Sequence, residues 1–238
     1  MSDRILIIVH QQHSTPGRIG AVLERRGYRL DIRRHACGDP LPDTVDDYAA
    51  VVVFGGPMSA NDDHLPFIRN EIEWINRPLQ ADVPFLGVCL GGQLLARTMG
   101  ARVFHHEEGF NEIGYYPVRR EQADCPLFEP EQYFYQWHNE GFDAPAGSTV
   151  LATGDWFPVQ AFAFQRALAI QFHPEVTRDM MGNWTRRATH RMILRGAQPR
   201  ESHLKGHARY DGAVEHWLER LFDRWLEPAR TPLLAAAE

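Results

Sequence analysis

Six consecutive apolar residues, Ala49-Ala50-Val51-Val52-Val53-Phe54, run without a polar break into Gly55-Gly56-Pro57. A strand with one face in water alternates polar and apolar positions, whereas one that is apolar throughout must be covered on both faces, as at the centre of a parallel sheet flanked by helices. Two more runs have this character, Ile5 to Val9 and Pro84 to Val88. Between and after them lie helical segments: Gly17 to Arg26, closed by Gly27 as its C′ glycine, Pro66 to Asn76, and Gly92 to Met99, ended by Gly100. A further strand alternates at Tyr28, Leu30 and Ile32. The resulting βαβαβα order predicts an α/β fold, an open, doubly wound, mostly parallel sheet with helices on both faces.

The middle of the chain changes character. Strands are expected at Ile113 to Val118 and Val159 to Phe164, the latter joined through Gln165-Arg166 to Ala167 to Phe172 in what reads as a tight hairpin, so a small antiparallel extension is predicted on the sheet. Near the end, Val214, Trp217, Leu218, Leu221, Phe222, Trp225 and Leu226 repeat at helical spacing behind Asp211, the expected N-cap. The tail beyond Pro228 is expected to fray. With no repeat, low-complexity tract or linker, residues 1–238 are expected to form one domain.

Composition narrows the function. The chain has 238 residues, 44% of them hydrophobic and 24% charged, enough to bury a core without disulfides or a structural metal. Its 25 basic against 31 acidic residues give a net charge of −6, without the basic block that phosphate binding needs, so nucleic acid is not expected as a partner. Three widely spaced cysteines, Cys37, Cys89 and Cys125, support neither a disulfide framework nor a zinc ribbon and point to a reducing cytoplasm. The apolar run at Ile5 to Val9 is too short for a signal segment or a membrane span, and no later run spans one.

One segment carries specific chemistry. Gly87-Val88-Cys89-Leu90-Gly91-Gly92 joins a strand to a helix with glycines two before and two after a cysteine, the thiol counterpart of the G-x-S-x-G nucleophile elbow. A nucleophile on so sharp a turn is strained, and its neighbours must lack Cβ so that helix and strand can close around it. The helix that follows aims its positive dipole end at the sulfur. A buried structural cysteine in a glycine-rich turn is the plainer reading of this segment alone, and it is the one that suits Cys37 and Cys125. A thiol nucleophile needs a base, and the base needs an orienting group. Phe172-His173-Pro174-Glu175 offers both: Pro174 pushes His173 into an extended conformation, and in an extended segment Glu175 lies on the same side as the imidazole. Gly55-Gly56-Pro57, at the carboxyl end of a central strand, reads on its own as a plain tight turn; beside the other two segments it is a candidate source of oxyanion-hole N–H groups, with Gly56 the better donor because Pro57 has none, and the N–H of Leu90 the second.

Gly55-Gly56-Pro57-Met58-Ser59, the run Gly87 to Ala96, and Phe172-His173-Pro174-Glu175-Val176 together resemble the three signatures of the class I, triad-type glutamine amidotransferases. The likeness extends from about Arg4 to Trp184 and is greatest to stand-alone proteins similar to the amidotransferase domain of GMP synthase. It implies Cys89 as nucleophile, His173 as general base and acid, Glu175 as the orienting carboxylate, and Gln93 as a substrate contact. Glu112-Ile113-Gly114-Tyr115 and Gln136-Trp137-His138-Asn139-Glu140 sit where such relatives line the substrate pocket, which adds Tyr115, Trp137 and His138, with Gly55, to the expected substrate-binding residues. Two departures stand out: Gly92 replaces a bulkier residue, and Asn139-Glu140 replaces Gly-Asp.

Other clusters carry less. His105-His106-Glu107-Glu108 is expected to be a solvated loop, because adjacent strand residues face opposite ways and make a poor metal site, and no metal is expected. Asp62-Asp63-His64 reads as a loop and helix-start signal. No P-loop or dinucleotide fingerprint is present, so no cofactor is expected. Three functions remain open: a glutaminase that hydrolyses glutamine through a γ-glutamyl thioester and passes ammonia to a separate synthetase, a free-standing hydrolase of another γ-glutamyl amide or peptide, and a non-catalytic binding or regulatory module.

Overall fold

Five of the predicted apolar segments become neighbours in one sheet. The computed structural model describes residues 2–226. Its strands are β1 (Arg4–Ile8), β2 (Arg29–Arg33), β3 (Ala50–Val53), β4 (Phe85–Val88), β5 (Val103–His105), β6 (Glu112–Arg120), β7 (Glu131–His138), β8 (Glu140–Phe142), β9 (Thr149–Thr153), β10 (Val159–Phe164) and β11 (Ala167–Ile170). Nine of them form a sheet in the order β2-β1-β3-β4-β11-β10-β9-β6-β7. From β2 to β11 every pair is parallel. From β11 to β7 every pair is antiparallel. The strands β5 and β8 make a separate antiparallel pair. Residues of β1, β3 and β4 are fully buried apart from Arg4, as their unbroken apolar character requires.

Helices cover both faces. One face packs α1 (Gly17–Arg25) and α6 (Arg200–Trp225) against Ile5, Ile7, Val52, Leu168 and Ile170. The other packs α2 (Pro66–Trp74) and α4 (Leu90–Thr98) against Leu6, Ile8, Val51, Val53 and Phe85. The side chains of each strand alternate between these two cores, so the doubly wound arrangement is written into the strand periodicity. A short α3 (Asn76–Gln80) follows α2 after a break at Ile75, where the sequence predicts one continuous helix to Asn76. Between β11 and α6 lie α5 (Arg178–Arg187) and a 3₁₀ turn at Thr189–Ile193.

The final helix corrects one expectation. It starts after Pro199, and Asp211 lies in its interior. The Asp211 carboxylate is held by Arg18 of α1 and by His207 one turn before it, which explains an acidic residue there without a cap. The first half of α6 buries only His203 and Gly206, too little for an apolar stripe to register in sequence. The second half buries the stripe as expected, with Trp217 against Phe128, Phe134 and Phe172. The hairpin β10–β11 turns at Gln165, whose φ of 51° lies in the left-handed region. His106, expected in a solvated loop, is half-buried and edge-on to Phe110, Trp156 and Phe157. The tail beyond Pro228 lies outside the described residues. No helix among the described residues is long and apolar enough to cross a membrane.

Candidate active site

The carboxyl ends of β3, β4 and β11 converge at the middle of the sheet, where open α/β folds place their ligands. Between the end of β4 at Val88 and the start of α4 at Leu90, Cys89 makes the turn by itself, with φ 50° and ψ −108°. That backbone costs a residue with a side chain on the order of 1–3 kcal/mol and persists only where its surroundings over-determine it. They do. Cys89 N–H donates to Ile170 O at 2.8 Å, and Gln93 N–H donates to Cys89 O at 2.9 Å. A Cβ on Gly91 would stand 2.0 Å from Val53 O, and one on Gly87 2.5 Å from Gly91 O, so α4 presses directly on β3 and β4. Space is short at Gly92 too: a Cβ there would lie 3.1 Å from Ile170 O, which accounts for glycine in place of a bulkier residue.

The strand β11 delivers the second component. Ile170 pairs with Val88, so the residues that follow each strand emerge side by side. His173 Nδ1 lies 2.7 Å from Glu175 Oε1, with both side chains almost wholly buried. Pro174 makes the turn that lets the two meet. Burial opposes charge on His173, but the Glu175 carboxylate and then the Cys89 sulfur outweigh it, and the imidazole pKa rises to about 10. With Nδ1 engaged by the carboxylate, Nε2 is the ring nitrogen left over, buried and without a hydrogen bond of ordinary geometry among the described residues. Gly55 closes the group: a Cβ there would lie 3.0 Å from His173 Cε1 and 3.5 Å from Cys89 Cβ. Gly56 sits between His10 and Leu90, its Cβ position 2.9 Å from His10 Cβ and 3.0 Å from Leu90 Cδ2. Cys89, His173, Glu175, Gly55, Gly56 and Leu90, drawn from three separated segments, therefore meet in one place.

The expected substrate contacts divide. Gln93 is buried beside the turn and its Nε2 donates to Glu140 O at 2.9 Å and to Gln171 Oε1 at 3.3 Å. His138 is enclosed, with Nδ1 2.9 Å from Glu140 O and Nε2 3.0 Å from Glu112 Oε2, which leaves neither ring nitrogen for a ligand. It belongs to a buried network that continues from Glu112 to Gln160 and Gln136. Tyr115 is corrected outright. Its ring packs into the interface with α6, where a Cβ on Gly206 would lie 2.3 Å from it, and against Tyr135 and Tyr210. Trp137 instead belongs to an aromatic wall that reaches the imidazole: its centroid is 5.6 Å from that of Trp184, which in turn is 5.3 Å from His173. The carboxylate of Glu140, the departure noted in sequence, accepts from Ser59 Oγ at 2.8 Å.

Three polar residues at the site give no sequence signal. Arg191, in the 3₁₀ turn, lays its guanidinium over Trp137 at 5.4 Å. Burial pulls it below the usual arginine range, partly offset by the Cys89 and Tyr135 side chains, and no carboxylate pairs with it among the described residues. His10 and Glu71 form a fully buried pair, Nε2 to Oε2 at 2.8 Å, beneath Gly55-Gly56. Glu71 is 61 residues from His10, and no local pattern announces a pairing of that span.

The chain is similar to known proteins along most of its length. The model of the family "Glutamine amidotransferase class-I" matches residues 14–187. The glutamine amidotransferase-like protein YfeJ of Salmonella typhimurium is 32% identical over 184 residues, 73% of this chain and 76% of that protein. The GMP synthase [glutamine-hydrolyzing] of Streptomyces avermitilis is 35% identical over 140 residues, 56% of this chain, and the match spans only 25% of that enzyme's length. Among solved structures, a glutamine amidotransferase from Thermotoga maritima superposes with a TM-score of 0.86 at 28% identity, covering 94% of this chain and 98% of that one. One from Methylobacillus flagellatus gives 0.87 at 25% identity, covering 100% and 98%. With a family match across most of its length and the motif residues gathered at one site, this chain belongs to the class I glutamine amidotransferases.

Proposed function

We propose that the chain hydrolyses the γ-amide of glutamine through a γ-glutamyl thioester on Cys89 and releases ammonia for a separate synthetase to use. The single observation that carries this reading is the meeting of Cys89, on its strained turn, with the His173–Glu175 pair over Gly55. The proton of the Cys89 thiol passes to His173 before the attack, a transfer that the raised pKa of the imidazole favours. The Cys89 sulfur then attacks the γ-carbonyl carbon, a C–S bond forms, and the carbonyl electron pair moves to oxygen, where the N–H groups of Gly56 and Leu90 receive it. Collapse of this adduct breaks the C–N bond, and His173 Nε2 gives its proton to the departing nitrogen, which leaves as ammonia. Water attacks the thioester as His173 takes one of its protons. Glutamate leaves, and the sulfur and the protonated imidazole are restored.

The surroundings suit a small polar substrate. Gln93 has its amide nitrogen committed to Glu140 O and Gln171, so its Oε1 is the atom free to accept from a substrate N–H. Arg191, a half-buried cation without a carboxylate partner, is placed to meet a substrate carboxylate along the Trp137 wall. The reaction as written needs neither a metal nor a cofactor.

Intact-mass analysis tests the reading most directly. Incubation with a chloroketone analogue of glutamine is expected to add one label to the wild type and none to Cys89→Ala, while Cys37→Ala and Cys125→Ala label as the wild type does. In parallel, glutamate release from glutamine should be lost only in Cys89→Ala. Full turnover in Cys89→Ala, or labelling that persists in it, would overturn the assignment.

A further inference from the structure

Beneath the Gly55-Gly56 loop lies a buried pair that the mechanism above does not use. His10 follows β1 and Glu71 projects from the middle of α2, and both side chains are sealed from solvent. The imidazole touches an acceptor at each end: Nε2 is 2.8 Å from Glu71 Oε2, and Nδ1 is 3.2 Å from Gly55 O. A peptide carbonyl can only accept, so Nδ1 carries a proton. An ionised Glu71 likewise requires one on Nε2, and the ring is then a cation held by a buried anion. Burial works against that charge on His10, and Glu71 more than restores it, with the carbonyls of Gly55 and Phe54 adding to the effect.

The position of that cation matters because of what peptide geometry transmits. In a trans peptide the carbonyl oxygen of one residue and the N–H of the next point in opposite directions. No cis bond occurs among the described residues. Fixing Gly55 O toward His10 therefore fixes the Gly56 N–H away from His10, in a loop whose Gly55 lies against Cys89 and His173. Two successive glycines would otherwise rotate this peptide at small cost. We propose that His10, held as an imidazolium by Glu71, clamps the Gly55 carbonyl and so keeps the Gly56 N–H aimed at the developing oxyanion. His10 and Glu71 are positioning residues: they touch neither substrate nor sulfur, and they act through one peptide plane.

This inference rests on the acyl-transfer reading of Cys89, and its test separates the two. The first measurement needs no turnover. Imidazole ¹⁵N NMR of the wild-type chain, with His10 assigned by comparison with His10→Asn, is expected to show Nδ1 of His10 protonated and its Nε2 proton held to a higher pH than an ordinary imidazole would hold it. An Nδ1 without a proton, or an Nε2 proton lost where an ordinary imidazole loses it, would overturn the proposal. The second compares turnover with simple alkylation, because alkylation of Cys89 by iodoacetamide develops no oxyanion. In Glu71→Gln, kcat for glutamine is expected to fall at least tenfold with KM changed less than twofold, while Cys89 alkylation stays within twofold of wild type. His10→Asn, whose amide can still donate to Gly55 O, should retain several-fold more kcat than His10→Phe. An unchanged kcat in Glu71→Gln, or alkylation that falls in step with kcat, would overturn the proposal. A wild type that shows a charged His10 and no glutamate release would overturn the glutamine reading and leave the clamp standing.

Discussion

In the proposed reaction His173 is the residue on which most of the chemistry turns, and its behaviour separates a proton carrier from a group that orients it. Glu175 raises the imidazole pKa and holds Nδ1, yet it sits on the far side of the ring from Nε2. His173→Ala is expected to lower kcat by roughly 10³-fold, within the range for a lost acid-base group, and Glu175→Gln by considerably less. Steady-state glutamate release measures both, and equal or reversed losses would exclude this division of roles. The sign of the pKa shift also sets the pH profile. A histidine with a folded pKa near 10 keeps its proton through neutrality and loses it only as pH approaches 10, so kcat should hold past pH 8 and decline above it. A descending limb centred near pH 7 would contradict it. Much at this scale is legible in sequence, because elbow and H-P-E spacing act locally. Tyr115 is misplaced by sequence because strand parity gives the face of a residue and not the element packed on that face; α6, more than 80 residues downstream, covers it. Arg191 and the His10–Glu71 pair lie in segments whose local sequence is ordinary, and only the fold supplies their neighbours.

Among the elements, α6 supports the site without touching it. Trp217 packs on Phe172, the residue before His173, and on Phe134 of β7, whose neighbour Tyr135 accepts the His173 N–H at 2.8 Å. Trp217→Ala should cost about 3–5 kcal/mol, the usual range for emptying a large aromatic site. In a chain of this size that lowers the melting temperature on the order of 10 °C. Thermal unfolding followed by circular dichroism checks it, and a fall of less than 2 °C would show that the helix is not a support of this core. The helix also shows what periodicity can and cannot reveal. Its second half is read from the stripe of Val214 to Trp225. Its first half, from Arg200, is a polar surface helix whose buried residues are a histidine and a glycine, so Asp211 passes for a beginning. The short connection at Ile75 is hidden for the opposite reason: apolar residues continue through the break between α2 and α3 at helical spacing.

For the whole molecule, the decisive arrangement is the adjacency of β4 and β11, two strands separated by nearly 80 residues of chain and joined in parallel register. The parallel half of the sheet is legible because each buried strand is apolar throughout and each is followed by a helix. The antiparallel half is only partly so. Its strands β6 and β7 carry buried Glu112, Gln132 and Gln136, which hydrogen-bond to Gln160 of β10 and to Ala213 O of α6, and such pairing is invisible in one dimension. The Cys89 N–H, bonded to Ile170 O across that central seam, cannot meet solvent while β4 and β11 stay paired. Its hydrogen exchange should accordingly require global unfolding and proceed among the slowest in the chain, orders of magnitude behind the amides of Asp46 and Glu107 on exposed loops, as measured by mass spectrometry of peptides spanning each. The turn at Cys89 would then share the lifetime of the native state itself. A molecule so built would keep the turn at Cys89 in place through heat or denaturant for as long as β4 and β11 remain paired.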